Sequence, residues 1–150
     1  DWTVVVGLDA NAQVVRFDRW QRVPWDETQR RVLSIVGSTP TLADSTGVGD
    51  AVVESMRRTR PSIEGYTFTS KSKQQLMEGL AVGIQQRRIR FAEDVIRQEL
   101  NAFEYQPTRT GVRYTAPDGL HDDCVMALAI GWHGVHLTRP CPVMLQVPLL

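Results

Sequence analysis

Three aspartates stand where the chain could do chemistry. Asp44 lies in "LADSTGVGDAV", residues 42–52: an apolar lead-in, an aspartate, a glycine-punctuated loop, a second aspartate and the start of a helix. Strand, glycine loop and helix in that order suggest a phosphate cradle, because backbone N–H groups and a helix N-terminus attract anions. A carboxylate in such a cradle would repel the phosphate. Either the stretch is a plain turn, or a cation stands between Asp44 and the phosphate. Asp122 and Asp123 lie in "DGLHDDCVMALAIGW", residues 118–132, where everything from Cys124 to Ile130 is apolar. A helix that is apolar all round is buried. Acids in its first turn complement the helix dipole, and Asp118 can cap it. Two carboxylates at the mouth of a buried helix still need a partner, since a buried unpaired charge is very costly; a bound cation would be one. Three carboxylates at one sheet edge make an oxygen-only site suited to Mg²⁺ or Mn²⁺. Thiols and imidazoles at zinc spacing are absent. On the metal reading Asp44 holds the ion and the ion holds the phosphate, and the glycines let backbone approach a bulky polymer.

The elements that would position these acids follow from periodicity. "WTVVVGLDANAQVVRFDRW" gives two β-rich runs, 2–8 and 14–20, about a polar turn at Asp9–Gln13, and reads as a hairpin. "PWDETQRRVLSIVG" opens on Pro24, carries acids in its first turn and closes on Gly37, the signature of a helix. "TPTLAD" is a short strand ending at Asp44. "GDAVVESMRRTR" is a helix stopped by Pro61, and "SIEGYTFT" is a strand. "SKSKQQLMEGLAVGIQQRRI" is a long helix with Leu76, Leu80 and Ile84 at i, i+4 and i+8. A helix over 94–102, an irregular "QPTRTG", a short strand "VRYTA" and a helix from about residue 120 complete the order. This is an α/β pattern, a mixed sheet with helices on both faces. In open α/β sheets ligands bind beyond the carboxyl ends of strands, where Asp44 falls.

Size and composition limit the classes. One domain of 150 residues can bury a real core. The formal net charge is zero, so no global field announces a polyanionic partner. The basic set is 15 Arg and 2 Lys, which suits bidentate phosphate contacts and equally suits a GC-rich coding sequence. Two cysteines, Cys124 and Cys141, make no secreted disulfide framework. There is no apolar run long enough to span a membrane, no signal peptide and no G-x-x-x-x-G-K-[ST] phosphate loop.

"DWTVVVGLD", "ADSTGVGDAV", the Ser- and Lys-rich start of a long helix at "TSKSKQQLMEGL", and "LHDDCVMALAIG" occur in this order. Together they resemble the nuclease domain of the large terminase subunit of tailed bacteriophages, over about residues 1–133. The resemblance implies an RNase H-like mixed sheet flanked by helices, shared with RuvC-type resolvases. It also implies a metal-dependent endonuclease that cuts concatemeric viral DNA during packaging, with two Mg²⁺ or Mn²⁺ ions flanking the scissile phosphate. Its implied partners are double-stranded DNA, the terminase ATPase domain, the small terminase subunit and the portal, in the host cytoplasm and without a membrane. By position Asp44 matches the second acid of the family site, and Asp122 and Asp123 match its helix-borne acid or acids. Asp123 is favoured slightly as the inner ligand, and His121 is left unassigned.

The family's first acid lies on a strand just before the segment that begins "DWTVV", and an ATPase domain normally precedes it. Neither is within this sequence, so its metal site is expected to be incomplete and its DNA cleavage poor. Asp9 falls at the wrong end of its strand to substitute, and Asp1 is terminal. The tail 134–150, with three prolines and one charge, matches nothing in the family and reads as a docking strand, an interface segment or an appended remnant. Lys71 and Lys73, just before a helix, are the candidate contacts to DNA phosphate. Trp2, Trp20, Trp25 and Trp132 read as core or cover, Cys124 as a small buried hydrophobe, and His133 and His136 as ordinary polar positions. The Arg clusters at 57–60 and 87–90 read as solvated helix ends. Two alternatives to the terminase reading are another RNase H-like nuclease, such as a junction resolvase or transposase core, and a catalytically incomplete DNA- or portal-docking module.

Overall fold

A computed structural model describes residues 2–109, 111–117, 119–138 and 143–146. Asp1, Asp118 and Cys141, weighed above as ligand, cap and thiol, lie outside the described residues. Strands β1 (Thr3–Leu8) and β2 (Val14–Trp20) form the expected antiparallel hairpin, in register from Thr3 opposite Trp20 to Gly7 opposite Arg16, with a one-residue shift before Leu8 pairs with Val14. Its turn is tied by Asp9, whose carboxylate accepts from the N–H groups of Asn11 and Gln13, both at 2.9 Å. Helix α1 (Trp25–Val36) follows Pro24, carries Asp26 and Glu27 in its first turn and ends at Gly37, whose φ of 54° suits glycine. Next come β3 (Thr41–Asp44), α2 (Gly49–Thr59) and β4 (Ile63–Tyr66), with β3 and β4 parallel. Helix α3 (Ser70–Gln85) begins in a capping box between Thr69 and Ser72. Lys71 and Lys73 therefore sit inside the first turn of α3 and not before it, because Thr69 caps the helix earlier than the lysines suggested. Helix α4 (Asp94–Ala102) is followed by β5 (Glu104–Thr108) and β6 (Gly111–Thr115).

The segment read as irregular is thus half strand. β5 pairs antiparallel with β6 in a two-stranded sheet of its own. In a two-stranded ribbon both strands are edges, so Pro107 is tolerated despite its missing N–H. The last helix, α5, runs Asp123–Thr138, and β7 (Val143–Gln146) follows it. Residue 133, where the sequence reading ended the domain, falls within α5, and four tail residues pair into the main sheet.

That sheet has the order β2-β1-β7-β3-β4. β7 runs antiparallel to β1 and parallel to β3. Helices cover both faces, as expected. On one, Val5 and Ala43 pack with Val32 and Val36 of α1 and Val53 and Met56 of α2. On the other, Val4, Val6 and Leu8 pack with Leu76 and Leu80 of α3 and with α5, whose residues Cys124–Ile130 are all buried. Strand β1 is buried along its whole length because both faces are covered. Helices α3 and α5 pack closely where Trp132 lies on Gly79 and Gly83. A Cβ at Gly83 would lie 2.6 Å from the indole Cε2, and the indole N–H donates to the Gly79 carbonyl at 2.9 Å. Trp132 is buried in the core, and Trp2, Trp20 and Trp25 are partly buried against it. Among the described residues no helix is long and apolar enough to cross a membrane.

Candidate active site

Asp44 ends β3 and is only 4% exposed. Side chains alternate along a strand. Leu42 packs into the α3–α5 core and Ala43 into the α1–α2 core, so Asp44 is presented to the α5 face. Its loop is built from one local bond and from bonds to the end of β4 and the residue two after it. The Thr46 N–H donates to Asp44 Oδ1 at 2.8 Å, an Asx-turn, and the Phe68 N–H donates to Thr46 Oγ1 at 2.9 Å. Ser45 donates its N–H to the Tyr66 carbonyl at 3.0 Å, extending the β3–β4 pairing. Gly49 has a specific cause: a Cβ there would stand 2.9 Å from the Asp44 carbonyl oxygen. The missing side chain makes room for the protein's own backbone, where the sequence suggested room for a polymer.

The start of α5 is built from distant partners. The Asp122 carbonyl accepts from the Met126 N–H, so Asp122 is the N-cap and Cys124 and Val125 carry the orphan N–H groups a cap would satisfy. A carboxylate from α4 takes both: Glu99 Oε2 is 2.7 Å from Cys124 N and 3.4 Å from Val125 N. The two aspartates are therefore released from capping. Asp122 Oδ2 faces Lys73 Nζ at 3.4 Å. Asp123 Oδ2 accepts from the Trp2 N–H at 3.0 Å and lies 3.6 Å from His121 Nδ1. Burial pushes the Asp123 carboxyl above the usual carboxylate range; the Trp2 N–H opposes this, and the negative charges of Asp122 and Glu99 reinforce it. The Cys124 thiol is likewise pushed up by burial and by Glu99, an inert buried thiol as expected.

The bond from Trp2 fixes α5 to the beginning of β1. β1 runs antiparallel to β7 and β7 parallel to β3, so the beginning of β1 and the end of β3 share one edge of the sheet. Two strand spacings, about 10 Å, separate β1 from β3. Asp44, Asp122 and Asp123 thus stand at one edge on the α5 face. Among the described residues no three His, Cys, Asp or Glu side chains are grouped closely enough to hold an ion unaided. Lys73 joins the site through Asp122, and Lys71 is exposed in the same helical turn. Asp9 is spent on its own turn at the opposite end of β1. Arg87, Arg88 and Arg90, at that far end, line a cleft of about 830 Å³ with Trp132 and His136, away from the aspartates. Arg57 and Arg58, in the last turn of α2, are exposed, and Arg60 just after it is partly exposed. His133 is half-buried against the Tyr66 ring, 5.4 Å between centroids, and is less ordinary than its sequence position suggested.

Sequence reasoning missed Glu99 and Arg19. Glu99 is 7% exposed, its Oε1 lies 3.2 Å from Arg19 Nη2, and the Arg19 guanidinium stacks 4.0 Å over the Trp2 ring. The available signal was an acid on the apolar side of α4, three residues after the buried Ile96.

A family model described as the terminase RNase H-like domain matches residues 1–132. The chain belongs to this family. It is similar in structure to the large terminase nuclease of the thermophilic phage G20c with bound magnesium, at TM-score 0.80 and 26% identity, covering 89% of this chain and 74% of that one. The same nuclease with bound zinc matches at TM-score 0.70 and 24% identity, covering 89% and 74%. The large terminase nuclease domain of Thermus phage P74-26 matches at TM-score 0.74 and 23% identity, covering 87% and 70%, a likeness of fold. No curated protein matches the chain. The terminase nuclease domain is the endonuclease of phage DNA packaging, a hydrolase on an RNase H-like fold, so the terminase reading stands over the resolvase and transposase alternatives.

The residues present suit a divalent cation. Asp44 and Asp123 are buried carboxylates, Asp122 adds oxygen donors next to Asp123, and Glu99 rather than the Asp122 side chain bonds the Cys124 and Val125 N–H groups.

Proposed function

We propose that this terminase nuclease domain cuts DNA with divalent metal held by Asp44, Asp122 and Asp123, Mg²⁺ or Mn²⁺ being the ions and two their number in the full site. The observation that carries the reading is Glu99 capping α5 in place of the adjacent acids, which leaves Asp123 a buried carboxylate with Oδ2 on the Trp2 N–H and no part in the cap. Magnesium in the G20c relative supports it. Divalent metal would supply charge neutralisation at the scissile phosphate and activation of the attacking water. The chain's own residues do the rest. The Asx-turn and the Gly49 contact hold Asp44 at the end of β3. The Trp2 N–H orients one Asp123 oxygen and leaves the other to the site. Lys73 steadies Asp122 in the absence of an ion, and with Lys71 would meet DNA phosphate from the first turn of α3. Among the described residues the carboxylates do not close a three-ligand cluster.

Double-stranded DNA is the substrate we propose, with the terminase ATPase domain, small subunit and portal as partners and the host cytoplasm as the setting. Net charge zero predicts weak DNA binding by this domain alone, with few phosphate contacts and a shallow salt dependence. Mn²⁺ titration by calorimetry tests the metal reading. Binding that is lost in Asp44→Asn and Asp123→Asn is expected; affinity equal in both variants and the parent would refute it.

A further inference from the structure

The two orphan N–H groups of a helix are ordinarily met by the side chain of its own N-cap, and an acid stands at that position in α5. Asp122 is nevertheless turned to Lys73, and the cap comes from Glu99, 25 residues upstream of Cys124 in another helix. A local cap would fix only the first turn of α5. A cap from α4 also fixes where that turn lies. Glu99 is in turn held by Arg19 of β2, and Arg19 lies over the ring of Trp2, the residue whose N–H bonds Asp123. The path from Glu99 to Asp123 therefore closes twice, once through the backbone of α5 and once through Arg19 and Trp2.

Both Glu99 oxygens are used inside the protein: Oε2 on the two N–H groups and Oε1 on the guanidinium. The pairing with Arg19 is ionic without good hydrogen-bond alignment, since Arg19 Nε and Glu99 Oε1 have no hydrogen-bond partner among the described residues. A buried pair of this kind is a poor device for stability alone, because desolvation offsets most of its attraction. What it does hold in place is the residue directly before Cys124, which is Asp123.

We propose that Glu99 and Arg19 are positioning residues for Asp123: the buried pair caps α5 from outside and sets Asp123 for metal binding without touching the ion. Groups that orient metal ligands in this way typically carry a 10- to 100-fold effect on affinity, so about 10-fold is expected for a conservative change at Glu99. The Mn²⁺ arm of the test rests on the metal reading above; the amide arm does not.

The experiment uses the whole chain as parent, Glu99→Gln, Arg19→Met and, as a control in the same helix, Ile96→Val. Amide exchange is followed at Cys124, Val125 and Trp2 without metal, Mn²⁺ affinity by calorimetry, and melting by circular dichroism. Glu99→Gln, which keeps size and packing, should speed exchange at all three amides and weaken Mn²⁺ binding about 10-fold. Arg19→Met should do the same at Trp2. Ile96→Val should lower the melting temperature and leave Mn²⁺ affinity alone. Trp2 exchange unchanged in Glu99→Gln would overturn the proposal, as would Mn²⁺ affinity following melting temperature across all three variants. A parent that binds no Mn²⁺, with Trp2 exchange still faster in Glu99→Gln, would sink the metal reading and keep the positioning one.

Discussion

Asp44 and Asp123 reach the same edge of the sheet by different means. Asp44 itself has close neighbours in sequence, an N–H two residues on at 2.8 Å and a glycine five residues on that clears its carbonyl, while its loop is also bonded to Tyr66, Thr67 and Phe68. The start of α5 depends on residues far along the chain: Trp2 at 121 positions away, Lys73 at 49 and Glu99 at 25. A site made from both kinds inherits two sensitivities. Damage to the Asp44 half should come from its immediate neighbours and from the adjoining end of β4, and damage to the Asp123 half from residues spread over the rest of the chain.

Neutralising either acid should have the largest effect. Asp44→Asn and Asp123→Asn are each expected to lower plasmid nicking by more than about 100-fold, beyond the range usual for groups behind the ligands. Stability should separate the two. Because burial raises the Asp123 pKa, its charged form is disfavoured in the folded state, and that penalty grows as pH rises through the folded value. Asp123→Asn should therefore melt no lower than the parent at pH 7 without metal. A clear drop in melting temperature would show that its bond to Trp2 outweighs the buried charge.

Gly49→Ala probes the Asp44 half. A Cβ 2.9 Å from the Asp44 carbonyl must move backbone, with an expected loss of about 1–3 kcal/mol in urea unfolding. Nicking should fall with it, since Asp44 is the group displaced; full activity in a destabilised protein would detach the loop from the site. Lys73→Met sharpens the other half more gently. The pair with Asp122 is about 30% exposed on both sides, so about 0–1 kcal/mol of stability is at stake. DNA affinity at low salt should fall by a few-fold, and an unchanged salt titration would remove Lys73 from the DNA surface.

The smallest effect lies away from the aspartates, at His133. Burial, then the neighbouring His136, lowers its pKa. The unfolded chain therefore binds a proton more readily there, so stability is full above the unfolded value of about 6.5 and declines as pH falls through it. His133→Phe should flatten the fall in melting temperature between about pH 7 and pH 5. The same slope in both proteins would assign that fall to other groups.

The contrast between the halves also explains what the sequence disclosed. Hairpin, helices and short strands followed from periods and punctuation confined to a few residues: Pro24, Gly37, the β-rich runs of β1 and β2, and Leu76, Leu80 and Ile84. Asp44 could be singled out because its strand, turn and glycines are adjacent. Asp122 and Asp123 stood out because acids precede an apolar run. Whether they cap their helix was not decidable locally, since the answer lies with Glu99 on another helix. β5 was hidden by Pro107 in a run of polar residues. β7 was hidden by a segment with three prolines and no alternation, whose pairing depends on an opening left between two other strands.

That opening bears on how the domain folds. The β1–β2 hairpin with its neighbours and the β3–α2–β4 unit are each contiguous in sequence and make their main contacts early in the chain. In the main sheet they meet only through β7, from residues 143–146. Pairing Val4 with Gln146 closes nearly the whole chain into one loop, a contact of very high sequence separation. Contacts of that kind slow folding, because chain entropy is lost before pairing rewards it. During synthesis from the N-terminus, both units can form while strands β1 and β3 still expose inner edges to each other. Among the described residues the main sheet becomes continuous only when β7 pairs with both β1 and β3, so these two pairings are made after the residues of both units have been synthesised.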